Sequence, residues 1–228
     1  VTSLTTGLMP DRYDVLANFP STDEVGAAAD GSPTQPIAIG HTQGITASQH
    51  YLYVADGPHG VSAWRIADDN GVPIDDVHLV ANTLQDEYPV TVGPDTIYPA
   101  THAWGVVYDE ITKSAYALCQ SIGLRRVPVA DVEAGLGTVG APLLLKPQPT
   151  DLFEHNGDYG TVTGLQWQDH AYDLVLRGDL AFVADGSNGL TIYDVTKDPT
   201  DMASGFVVAN IGAGSQRPPL GRATGLAL

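Results

Sequence analysis

The feature that most constrains this chain is a repeat with fixed spacing. One copy reads His41, Gly44, Ile45, then Tyr51-Leu52-Tyr53-Val54-Ala55-Asp56-Gly57, Gly60, Val61, Trp64 and Ile66. A second reads His170, Asp173, Leu174, then Leu180-Ala181-Phe182-Val183-Ala184-Asp185-Gly186, Gly189, Leu190, Tyr193 and Val195. From His to Asp is 15 positions in both (41 to 56, 170 to 185), and from His to the second Gly is 19 (41 to 60, 170 to 189). Self-similarity of this kind marks a series of equivalent supersecondary units. Within each unit, aromatic, β-branched and small apolar residues flank an Asp-Gly-x-x-Gly turn. That pattern is an antiparallel hairpin whose glycines supply the positive φ of a tight turn.

Two weaker copies extend the series. His102, Trp104, Gly105 and Val106 begin a unit that continues through Ala115-Tyr116-Ala117-Leu118-Cys119 to Gly123, 21 positions after its His (102 to 123), with Cys119 in place of the Asp. Arg222, Ala223, Gly225 and Leu226 begin another. Val15-Leu16-Ala17-Asn18, Leu79-Val80-Ala81-Asn82 and Val207-Val208-Ala209-Asn210 are near copies that precede these starts and read as the last strand of successive units. The starts lie 61, 68 and 52 residues apart (41, 102, 170, 222), and no stretch of helix length carries a 3.6-residue period with caps. These intervals suit radially arranged four-stranded sheets.

The expectation is therefore an all-β fold, a β-propeller of four-stranded antiparallel blades, with three whole blades plus two part-blades. Residues 1–40 form a part-blade, the blades span about 41–101, 102–169 and 170–221, and 222–228 is the first strand of the next. The long intervals, such as 67–100 and 130–169, are expected to decorate one face. A propeller must close to hide its sheet edges. The strand count favours a segment of a six- to eight-bladed propeller over a four-bladed ring whose last blade joins both termini.

The strings Tyr53-Val54-Ala55-Asp56-Gly57 and Phe182-Val183-Ala184-Asp185-Gly186, with Gly189-Leu190-Thr191-Ile192-Tyr193-Asp194-Val195-Thr196, resemble the LVIVD-type repeat of bacterial and archaeal surface propellers. The resemblance implies a propeller that is exported, often anchored at the cell surface or joined to other modules. It implies a secreted, periplasmic or cell-surface location and says little about chemistry.

Charge narrows the partners. Asp and Glu number 27 against 10 Lys and Arg, a net charge of −17. Nucleic-acid affinity comes from cationic side chains displacing counterions, so nucleic acid is excluded as a partner. No apolar run reaches the ~18 residues that a membrane-spanning helix needs. The chain starts at Val1 with no charged-then-apolar leader, which suggests a processed chain or a piece of a longer one. One cysteine, Cys119, leaves no internal disulfide and no paired-cysteine zinc cluster. The partners expected are a protein or surface polymer held by loops on the propeller face, with remaining blades on another segment or chain.

His41, His102 and His170 share one repeat position, just before the innermost strand, and Arg222 holds that position in the next unit. Symmetry would gather them at the mouth of the central channel. Converging imidazoles bind copper or another transition metal, whereas Arg222 suits an anion or carboxylate. The alternative is that each His hydrogen-bonds the backbone of a neighbouring blade. Trp104 and Tyr172, two residues after His102 and His170, and His59 in the first Asp-Gly-x-x-Gly turn, are the further ligand-binding candidates. Asp56 and Asp185 read as turn carboxylates accepting backbone N–H bonds, and Asp68, Asp69, Asp75 and Asp76 as a solvated loop, since the spacing of a calcium loop is absent. Calcium is therefore less expected than a transition metal.

No phosphate loop, nucleophile elbow or His-Glu-x-x-His helix occurs, so no catalytic residue is assigned. The leading expectation is a non-catalytic binding or scaffold module. The alternatives are a copper-type oxidoreductase using the repeat histidines, and a propeller attached to an electron-transfer protein, although no haem-attachment Cys-x-x-Cys-His is present.

Overall fold

A computed structural model describes residues 42–57, 60–83, 90–92, 95–97, 103–119, 123–153, 171–186, 189–211, 223 and 225–227. The first sheet is a meander of β1 (Gly44–Ala47), β2 (Tyr51–Ala55), β3 (Val61–Ala67) and β4 (Pro73–Asn82), each antiparallel to the one before. β5 (Val90–Val92) and β6 (Asp95–Ile97) pair only with each other. The second sheet runs β7 (Ala103–Asp109), β8 (Ser114–Cys119) and β9 (Gly123–Pro128). The chain then makes a detour through the single-turn helix α1 (Ala130–Glu133) and β10 (Leu143–Leu144) before β11 (Leu152–Phe153) completes that sheet. The third sheet is β12 (Asp173–Arg177), β13 (Leu180–Ala184), β14 (Leu190–Asp194) and β15 (Val207–Ile211).

The fold is thus all-β and propeller-like, and each repeat unit is one blade. Leu79 to Asn82 and Val207 to Asn210 are the ends of the fourth strands β4 and β15, as the repeat predicts. The Asp-Gly-x-x-Gly turns join second strand to third, with Gly57 and Gly186 at φ 54° and 53°. A side chain there would be strained. The part-blade expected at residues 1–40 and the Val15–Asn18 strand lie outside the described residues.

Blade 2 is packed on both faces. Thr46, Tyr53 and Ala63 are cross-strand partners, so they share the face of blade 1 that meets β7. Tyr53 stacks on Tyr108 with ring centroids 5.2 Å apart and planes 17° apart, and the Tyr108 N–H donates to Thr46 Oγ1 at 3.2 Å. On the other side, Tyr116, Leu118, Leu124 and Phe153 join Leu174, Ala181, Val183 and Tyr193 of blade 3 in one core. Burying side chains of this size stabilises by roughly 1.5–3 kcal/mol each, so the inter-blade seams are the main cohesive surfaces. Arg126 ties the same seam. Its Nε and Nη2 donate to Asp151 Oδ1 at 2.7 Å, and its Nη1 reaches the Val195 carbonyl at 3.4 Å.

The interval after β9 departs from the expected face decoration. It crosses back onto blade 1, where Val132 is fully buried and the Tyr53 hydroxyl donates to the Glu133 carboxylate. Gly137 lies so close that a Cβ there would stand 2.2 Å from the Val80 carbonyl oxygen. β10 then pairs parallel with Ala81 and Asn82, making blade 1 a five-stranded sheet rather than a four-stranded antiparallel one. The reason is local: β4 is an edge strand with unpaired backbone groups, and Leu143-Leu144-Leu145 offers an apolar strand to cover it.

Candidate functional site

The first strands β1, β7 and β12 lie side by side in that order, and so they form the inner lining. Their contact is backbone-close. A Cβ on Gly44 would sit 3.0 Å from Gly105 Cα and 3.2 Å from the Trp104 carbonyl oxygen, so only glycine allows this approach. Gly44, Gly105, Asp173 and Gly225 occupy the same repeat position. Asp173 instead reaches across: its Oδ2 accepts the Leu226 N–H at 2.8 Å and its Oδ1 the Leu174 N–H at 2.8 Å.

A second bridge is seen at two of the junctions between successive units. Gly57 and Ala103 exchange backbone hydrogen bonds of 3.1 and 2.9 Å, and Gly186 and Ala223 do the same at 3.1 and 2.9 Å. Ala103 and Ala223 follow His102 and Arg222, which is why the unit start and the Asp-Gly turn recur together. His41, His102, His170, His59 and Arg222 themselves lie outside the described residues, so the proposed ring and anion position gain no geometry. Among the described residues no group of three His, Cys, Asp or Glu could hold a metal ion. The described histidines are used locally: His50 Nδ1 lies 2.8 Å from the Asp68 carbonyl and His78 Nδ1 2.7 Å from that of Asp76.

Trp104 and Tyr172 are described, at equivalent repeat positions: Trp104 within β7 and Tyr172 immediately before β12. Ala103 pairs with Cys119 and Gly105 with Leu118, which leaves Trp104 as the extra residue of a β-bulge. Bulges redirect a side chain, and Trp104 is 36% exposed. Tyr172 is half-buried, its N–H donating to the Ala184 carbonyl at 2.8 Å.

The repeat aspartate does something the sequence reading missed. Asp185 is fully buried and its Oδ2 accepts from the Thr191 hydroxyl at 3.0 Å, which in turn accepts from Asn210 Nδ2 at 2.9 Å. The carboxylate therefore ties the second strand to the third and fourth, beyond the local turn expected of it. Blade 1 has Asp56, Ser62 and Asn82 at the same places, with Ser62 opposite Asn82 as Thr191 is opposite Asn210. In blade 2 the trio becomes Cys119, Arg125 and Leu152, since Ala117, the counterpart of Val183, pairs with Arg125 and Arg125 with Leu152; Cys119 and Arg125 are both buried. Desolvation pushes the Cys119 thiol up to about 12, against a slight opposing pull from Arg125, so it is no nucleophile. Asp68, expected only as part of a solvated loop, closes a turn there. Its Oδ1 accepts from Val72 and Asn70 N–H at 2.9 Å each, and these bonds hold its pKa below the usual range.

The tyrosines on the blade 1 side are the other feature the sequence left unsignalled. Burial, and then the hydrogen bond to Glu133, raise Tyr53 far above the ordinary phenol range; burial raises Tyr108 too, with Glu133 adding to it.

With this geometry in place, comparison becomes informative: the LVIVD repeat family model matches residues 39–61 and 169–208. These two segments are similar to LVIVD repeats. The first match covers β1, β2 and the turn to β3, and the second covers β12 to the start of β15. The LVIVD matches coincide with the two units that keep the repeat aspartate, and neither includes the unit in which Cys119, Arg125 and Leu152 stand at the places of the trio. No curated protein matches the chain. Among solved structures, a crystal structure of the computationally designed Ika8 protein aligns at a TM-score of 0.40 and 8% identity, over 69% of this chain and 35% of that one. The chain thus spans about a third of that structure's length.

Proposed function

We propose that this protein with LVIVD-like repeats is a binding or scaffold module of an exported, cell-surface propeller, engaging a protein or surface polymer through Trp104 and Tyr172, with His59 and Arg222 as further contacts. The observation that carries this is Trp104 itself. A tryptophan left 36% exposed on a bulge, with Tyr172 at the equivalent repeat position just before β12, supplies the rigid aromatic anchors that dominate recognition surfaces.

The test is a titration of intrinsic fluorescence with soluble cell-envelope polysaccharide fragments and with surface proteins of the source cell. Binding by one of them that weakens roughly tenfold or more in Trp104→Ala and in Tyr172→Ala, with thermal stability retained, is the expected result. Binding unaffected by both substitutions removes the mouth as the site.

A further inference from the structure

The fourth strands of blades 1 and 3 share a backbone but not a neighbour. In β4, Ala81 pairs with Ala63 and Leu79 with Trp64, which leaves Val80 as the extra residue of a β-bulge. In β15, Ala209 pairs with Ile192 and Val207 with Tyr193, and Val208 is the extra residue at the same place. The bulge of blade 1 is covered: Val80 is fully buried, Leu143 and Leu144 pair parallel with Ala81 and Asn82, and the Leu145 N–H donates to the Asn82 carbonyl at 2.8 Å. In blade 3, Val208 is 53% exposed and Ile211 47%, and among the described residues no strand pairs with the outer edge of β15. Proteins blunt such edges with charge, proline or a bulge that turns the strand away. Val207 to Ile211 contains no charge and no proline, and its bulge is no barrier, because β4 is paired beside the same one.

We infer that the outer edge of β15, from Val208 to Ile211, is a strand-addition site for an extended, uncharged segment of another protein, which enters parallel and carries a glycine six residues ahead of an apolar run. The segment already seated on blade 1 defines each requirement. Gly137 must lack a side chain because a Cβ there would stand 2.2 Å from the Val80 carbonyl oxygen and 3.0 Å from Val80 Cβ. Six residues later Leu143 and Leu144 make the parallel pairs, Leu145 is buried behind them, and no residue from Gly137 to Leu145 is charged. In strand addition the main chain supplies affinity and the alternate side chains supply selectivity. A second copy of this chain holds its own Gly137–Leu145 segment on its own blade 1, so the incoming strand belongs to a different protein. Trp104 lies on the first strand of blade 2 and β15 is the last of blade 3, so the two surfaces are separate.

The probe is a fluorescein-labelled peptide with the sequence of residues 136–146, titrated into the full 228-residue chain and followed by anisotropy. Saturable binding is expected, weakened roughly tenfold or more by Val208→Lys in the chain and by Gly137→Ala in the peptide, with unchanged circular dichroism of the protein variant. A Val208→Cys chain supplies the second readout, since Cys119 is buried and holds its proton and a thiol reagent therefore reports the new cysteine. Labelling should be fast in the free monomer and slow by roughly tenfold when the peptide is bound. No saturable binding overturns the inference, as does binding indifferent to Val208→Lys or to Gly137→Ala, which would mean exchange into blade 1 or unspecific adhesion. Slow labelling of the free chain overturns it as well: in a monomer the chain's own residues, 1–40 among them, would be covering the edge, and in a dimer a second copy would be.

Discussion

Asp185 and Thr191 form a buried hydrogen bond of 3.0 Å between the second and third strands of blade 3, and in blade 2 their places are taken by Cys119 and Arg125, both buried. Hydrogen bonds to charged groups contribute roughly 1.5–3 kcal/mol, and stranding a buried partner costs at least as much. Asp185→Ala should therefore destabilise by about 2 kcal/mol in urea unfolding, and Thr191→Val by about 1 kcal/mol. The double variant should lose less than the sum of the two, because both remove the same bond.

Cys119 carries the converse prediction. Cys119→Asp places a carboxylate in the core formed with Ala103, Ala117 and Val127, where the field of buried Arg125 offsets part of the desolvation, and should cost about 2 kcal/mol, against about 1 kcal/mol for Cys119→Ala.

The same thiol sets an alkaline limit. Its pKa is raised from 9.0 to about 12 by burial, so above pH 9 the unfolded chain gives up a proton that the folded chain keeps. Stability must then fall as pH rises from 9 towards 12, by about 1.4 kcal/mol per pH unit for this one group. Tyr53 and Tyr108, also raised, act in the same direction above their ordinary value of 10.0. Urea midpoints measured at several pH values should show the decline starting later in Cys119→Ala.

Gly137 tests the detour. A methyl group there meets the Val80 carbonyl oxygen at 2.2 Å, which forces the segment off β4. Gly137→Ala should cost roughly 1–3 kcal/mol, as overpacked sites do. Gly140→Ala, where a Cβ meets nothing within 4 Å but φ is 76°, separates backbone strain from collision.

The metal alternative has a direct check. For a binding module, protein purified without chelator should carry transition metal far below one equivalent by elemental analysis. One full equivalent of copper or zinc that falls away in His41→Ala, His102→Ala and His170→Ala would instead assign the unit-start histidines to a metal site.

The repeat made the blades legible because hairpin chemistry is local: Asp-Gly-x-x-Gly, the alternation around it and the Val/Leu-Val-Ala-Asn strand are all read within a few residues. The detour was not legible. Leu143 and Leu144 pair with Ala81 and Asn82 some sixty residues away, and a two-residue strand has no periodicity to betray it. Trp104 was singled out from its place beside His102, but the bulge that exposes it depends on how β7 pairs with β8. The buried role of Asp185 was hidden for a related reason, since Thr191 and Asn210 become its partners only once three strands are in register.

The path of residues 130–148 also divides the molecule along its length. Blade 2 cannot recruit its fourth strand until the chain has visited blade 1, so these two sheets gain and lose structure as one cooperative unit. Blade 3 is an uninterrupted meander. Amide hydrogens on β12–β15 can therefore exchange through an opening of their own, cheaper than the joint opening that frees β2 and β8 together.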